Sequence, residues 1–67
     1  MLSNPVREWH QTKIELPYGH LGPVVEWCRR NCTEEWVFAD IPFGPEGNYK
    51  FYFESETDYI NFLIWKK

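Results

Sequence analysis

The sequence predicts a small α+β domain, a ferredoxin-like βαββαβ sandwich with one antiparallel sheet and both helices on one of its faces. Three observations lead there. Sixty-seven residues leave room for one domain only, 1–67. Two stretches alternate apolar and polar residues with the period of strands, Thr12-Ile14-Leu16 and Tyr49-Phe51-Phe53. Between and after them lie segments with helical signals. A chain of this size buries roughly 60% of the surface its unfolded form exposes. At 43% hydrophobic and 19% aromatic it is too apolar for a disordered chain. No apolar run approaches the ~20 residues of a membrane span, and the start has no apolar core of signal-peptide length. The expectation is a compact domain in the cytoplasm.

Met1–Pro5 reads as a frayed start. Val6–Leu16 reads as the first strand, with Trp9 on the polar parity beside Gln11 and Lys13. Pro17-Tyr18-Gly19-His20 ends it with turn chemistry. Pro23 to Asn31 or Cys32 reads as the main helix. Proline suits a first helical turn, where its missing N–H has no partner to lose. Val24, Cys28 and Cys32 share one stripe of this helix, and Arg29 and Arg30 complement its dipole near the end. Glu34–Ile41 reads as a second strand with apolar residues on both parities, so its inward face stays open. Pro42–Asn48 is a loop dense in turn formers, which makes the next strand, Tyr49–Glu54, the second arm of a hairpin. Ser55 caps a short helix with Glu56 and Asp58 in its first turn. The β-branched and aromatic content of Phe62-Leu63-Ile64-Trp65 favours a fourth strand over 62–66. The alternative is a helix running to the end and a three-stranded βαββα domain. Right-handed crossover places the third strand between the first and second.

Seven Lys and Arg against ten Asp and Glu give a net charge of −3. An acidic chain lacks the overall basic footprint of a nucleic-acid module, without excluding a local patch. Cys28 and Cys32 sit at i and i+4, helix neighbours rather than a disulfide pair, and read as reduced thiols. Together with His10 and His20 they are the soft metal ligands of the chain. One loose C-x3-C pair falls short of the paired knuckles of a zinc ribbon, and two small residues packing helix to sheet explain it more simply. A Cys–His nucleophile lacks a third orienting group. Glu34-Glu35 and Glu54, Glu56 and Asp58 read as solvated caps rather than a general acid–base pair. No metal, cofactor or catalytic residue is therefore expected, and the chain does not read as an enzyme.

The aromatic excess is more informative. Thirteen aromatic side chains (four Trp, four Tyr, five Phe) exceed what so small an interior can hold. If Ile14, Leu16, Phe51 and Phe53 face the helices, the opposite sheet face carries Trp9, Lys13, Lys50 and Tyr52. Trp36 and Phe38 join them if Val37, Ala39 and Ile41 point inward. Such a face reads as a binding surface, since contiguous exposed apolar area marks interfaces and Trp and Tyr supply hot spots. Its expected occupant is a protein, a second copy of the chain included. The alternative is a single-stranded nucleic acid whose bases stack on the sheet.

The tail Phe51-Tyr52-Phe53-Glu54-Ser55-Glu56-Thr57-Asp58-Tyr59-Ile60-Asn61-Phe62-Leu63-Ile64-Trp65 resembles the ends of short uncharacterised proteins of tailed bacteriophages. The likeness is to T4-like phages, including those of cyanobacteria and marine bacteria. Those ends carry an aromatic strand, an acidic Glu-x-Asp stretch, then alternating Phe and Leu before a final Trp. Glu26-Trp27-Cys28-Arg29-Arg30-Asn31-Cys32 resembles their central helix. Leu63 stands where that pattern has a polar residue. The resemblance covers about half the chain and implies a phage origin, a place in the host bacterial cytoplasm, and no known activity. Phage proteins of this size often dock onto a host protein and redirect it, so the resemblance implies host takeover by binding rather than catalysis.

Overall fold

The computed structural model describes residues 5, 8–17, 19–41 and 47–66. Its elements are β1 (His10–Glu15), α1 (Leu21–Asn31), β2 (Trp36–Asp40), β3 (Asn48–Phe53) and α2 (Glu56–Lys66). The three strands form one antiparallel sheet in the order β1-β3-β2, so β3 lies in the middle, where right-handed crossover puts it. The expected frayed start lies outside the described residues apart from Pro5, as do Val6 and Arg7 and most of the hairpin loop (42–46).

The fourth strand is a correction. Residues 62–66 continue the helix begun at Glu56, and the observed architecture is βαββα. Local β-propensity favours a strand there, and tertiary packing overrides it. Ser55 Oγ accepts the Asp58 N–H at 3.2 Å and starts the helix. One turn later Phe62 is fully buried against Phe51 and Phe53, at centroid distances of 5.2 and 4.9 Å. The helical turn also sets Trp65 against Trp27 of α1, stacked at 4.9 Å. A strand would replace these contacts with sheet bonds.

Helix α1 begins two residues earlier than expected. Pro23 still falls in the first turn, where N–H groups have no partner within the helix. In the turn before α1, the His20 N–H donates to Pro17 O at 3.0 Å and Gly19 takes φ +86°, the left-handed conformation that favours glycine. Gly47, at φ +91°, is more constrained. A Cβ there would stand 2.5 Å from Leu16 O, the carbonyl of the strand alongside.

The core is one cluster of Leu16, Val24, Cys28, Phe51, Phe53 and Phe62, flanked by Ile14, Leu21, Trp27, Cys32, Trp36, Tyr49 and Tyr59. Phe51 and Phe53 define the helix-covered face. The register then assigns every strand residue. His10, Thr12 and Ile14 pair with Phe53, Phe51 and Tyr49, and Trp36, Phe38 and Asp40 pair with the same three. All of these share the helix side. Val37 and Ala39 point to the other face, which settles the orientation of β2.

Candidate functional site

That orientation redistributes the six residues expected to form one binding face. Lys13, Lys50 and Tyr52 do come together on the outer face of the sheet. Lys13 stands directly across from Lys50, and Lys50 Nζ lies 5.7 Å from the Tyr52 ring centroid. Trp36 and Phe38 do not join them. They sit on the helix side, where Phe38 stacks on Phe51 at 5.3 Å and on Trp36 at 6.4 Å. The neighbours of Lys50 and Tyr52 on the β2 side are instead Ala39 and Val37. Trp9 is only 8% exposed, so it offers little surface to a partner. The outer sheet face is therefore less aromatic than the sequence suggests.

The larger apolar exposure lies on α2. Ile60, Leu63 and Ile64 are 47%, 38% and 65% exposed. They occupy the side of the helix opposite Asp58 and Phe62, which are buried. A surface helix ordinarily turns charged and polar residues outward, whereas this one is apolar on both sides. Reading 62–66 as a strand hid this feature. The i, i+4 pair Ile60 and Ile64 signals it once the helix is recognised.

The start of α2 is fixed by its own buried acid. Asp58 accepts from the backbone N–H of Thr33 at 2.8 Å, the N–H of Glu34 at 3.0 Å and the Thr33 hydroxyl at 3.2 Å. This carboxylate is committed to joining α2 to the link between α1 and β2. Its partners are structural, and among the described residues no buried side-chain polar atom is left unbonded.

The thiols are similarly committed. Cys28 is fully buried in the core and Cys32 half-buried beside it. Burial pushes the Cys28 thiol up to about 12, and neighbouring Cys32 and Asp58 add to the shift. Burial and Asp58 push Cys32 up to about 11. Both stay protonated at neutral pH, the opposite of what a thiolate nucleophile needs. Among the described residues no group of three or more His, Cys, Asp or Glu is placed to hold a metal ion. His10 stacks on Tyr59 at 5.4 Å, and His20 is exposed at the start of α1. Neither described helix is long and apolar enough to cross a membrane. No protein-family model, curated protein or solved structure matches the chain.

Proposed function

We propose that this chain is a protein-binding module without catalysis of its own, which docks on another protein and modulates it. The observation that supports this reading is the apolar outer side of α2, where Ile60, Leu63 and Ile64 stand exposed on one helix. Exposed apolar groups in one patch gain free energy when a partner removes them from water, at roughly 25 cal/mol per Å². The resemblance to phage proteins points to a host or phage protein in the bacterial cytoplasm as the partner.

The test compares three immobilised proteins in a pull-down from bacterial lysate: wild type, Ile60→Glu/Ile64→Glu and Lys50→Ala/Tyr52→Ala. The expected result is a specific captured protein that the α2 variant loses and the sheet-face variant keeps, with both variants folded by circular dichroism. Equal capture by wild type and the α2 variant would overturn the reading.

One observation favours a second reading, single-stranded nucleic acid on the outer sheet face. Lys13 and Lys50 are placed directly opposite each other, an arrangement that like charges disfavour unless an anion lies between them. Amide shifts at Lys13, Lys50 and Tyr52 on adding single-stranded RNA, fading steeply with salt, would promote this reading over the first.

A further inference from the structure

We propose that the partner of one exposed surface is a second copy of this chain, joined through the outer edges of two β1 strands into a six-stranded sheet. Among the described residues β1 is an edge strand. The Leu16 N–H donates to Gly47 O at 2.8 Å, which fixes the alternation along the strand. Leu16 and Ile14 direct their backbone groups at β3, and Lys13 and Glu15 direct theirs away from it.

An antiparallel pair of β1 edges has few registers open to it, and charge chooses among them. Centring the two-fold on Lys13 sets lysine against lysine. Centring it on Ile14 sets Lys13 of each copy against Glu15 of the other, twice, with each pair exchanging both backbone bonds. Cross-strand pairs of opposite charge stabilise and like pairs destabilise. On the helix side the same register brings Ile14 onto its own copy and Thr12 onto Leu16. Ile14 is only half-buried in one chain, although it packs against the core. The ladder ends where Gln11 would meet Pro17, which has no N–H to give.

The helices would share one face across this edge. Antiparallel edge pairing puts the two-fold perpendicular to the sheet, so both copies of α2 lie on one face. Helix α2 rests over β1 and β3: Tyr59 stacks on His10 of β1, and Phe62 packs on Phe51 of β3. Across the strands, a helix over that junction lies about two strand spacings from its copy, ~10 Å; along them, its Tyr59 end over His10 stands four residues from the Ile14 axis, so only the later turns of α2 lie near the axis. Leu63 lies one turn after Tyr59 on the same side of α2 and is 38% exposed. The β2 edge has no such match. The charged residues in and just before β2 are Glu34, Glu35 and Asp40, all acidic, so pairing two β2 edges offers no opposite charge.

The dimer rests on the protein-binding reading in one respect, that exposed surface here serves a protein partner. Sedimentation equilibrium on the full chain tests it, from low micromolar to millimolar concentration. Lys13 and Glu15 are both exposed, so Lys13→Glu and Glu15→Lys should each leave the fold intact. The wild type is expected to dimerise, and each single variant to weaken the dimer at least ~10-fold. An equimolar mixture of the two variants should restore it, because the two acids of the Lys13→Glu chain then face the two lysines of the Glu15→Lys chain. A wild type that stays monomeric at millimolar concentration overturns the proposal. So do single variants that dimerise like wild type, which would move the contact to β2 or the outer sheet face. A monomeric wild type whose Ile60→Glu/Ile64→Glu variant still loses a captured protein overturns the dimer alone and leaves the protein-binding reading in place.

Discussion

The two helices have the same length, lie on the same sheet face and touch through Trp27, Phe62 and Trp65, yet they meet solvent in opposite ways. Helix α1 buries Val24 and Cys28 and turns Glu26, Arg29 and Arg30 outward. Glu26 pairs with Arg29 at 3.7 Å and with Arg30 at 3.2 Å, and such exposed pairs contribute little stability. Helix α2 buries Asp58 and Phe62 and turns Ile60, Leu63 and Ile64 outward. Their ends differ as well. His20 makes no side-chain bond at the start of α1, whereas Ser55, Glu56 and Asp58 all favour the start of α2. Helix α1 is held by its packed stripe and is finished on the outside. Helix α2 is held by its cap and one deep aromatic, which frees its outer side to be apolar.

That contrast can be broken most strongly at Phe62. Phe62→Ala removes the one ring that α2 places at the centre of the aromatic cluster, and should cost about 3–5 kcal/mol in urea unfolding. A loss comparable to that at an exposed site would mean that α2 is not anchored there. Asp58→Ala comes next. It leaves the Thr33 and Glu34 N–H groups without their acceptor and should cost about 2–3 kcal/mol by the same measurement.

Raising the pH should separate the helices differently. Both thiols titrate higher in the folded state than the ordinary value near 9, so their contribution is fully present below pH 9. It is lost as pH rises through about 11 to 12, because the unfolded chain then releases protons that the folded chain retains. The urea midpoint should fall across that window, and fall less in Cys28→Ala. An identical pH profile in the variant would assign the loss to other groups. The smallest effect should come from Ile64→Gln, within about 0.5 kcal/mol of wild type because Ile64 is 65% exposed, while partner capture weakens. A large loss of stability there would show that α2's outer side belongs to the fold rather than to an interface.

The sheet was legible because Tyr49, Phe51 and Phe53 alternate strictly with Lys50, Tyr52 and Glu54, and that parity is the one observed. The order β1-β3-β2 followed from chain connectivity. Two features were not legible, for the same reason. In β2 both parities are apolar, so nothing local says whether Trp36 and Phe38 or Val37 and Ala39 turn toward the helices. In α2 the residues after Asp58 are apolar except Asn61 and Lys66, and the apolar ones fall on all sides, so nothing local separates helix from strand. In both places the decision came from long-range packing, with Phe51 receiving Phe38 on one side and Phe62 on the other. The candidate site inherited both ambiguities. Lys13, Lys50 and Tyr52 were placed by clear alternation and share a face as expected, whereas the positions assigned through β2 and the tail moved.

The carboxylate of Asp58 also orders events in time. Its bonds to Thr33 and Glu34 span 25 and 24 residues, a separation that encloses the whole β2–β3 hairpin. The Ser55 cap spans only three residues and can form in an otherwise unfolded chain. Long loops close late, because their entropic cost must be met before the contact repays it. Helix α2 can therefore start early and be locked late. The amides of Thr33 and Glu34 would gain protection from hydrogen exchange only once the hairpin has closed beneath them, which makes them reporters of that closure.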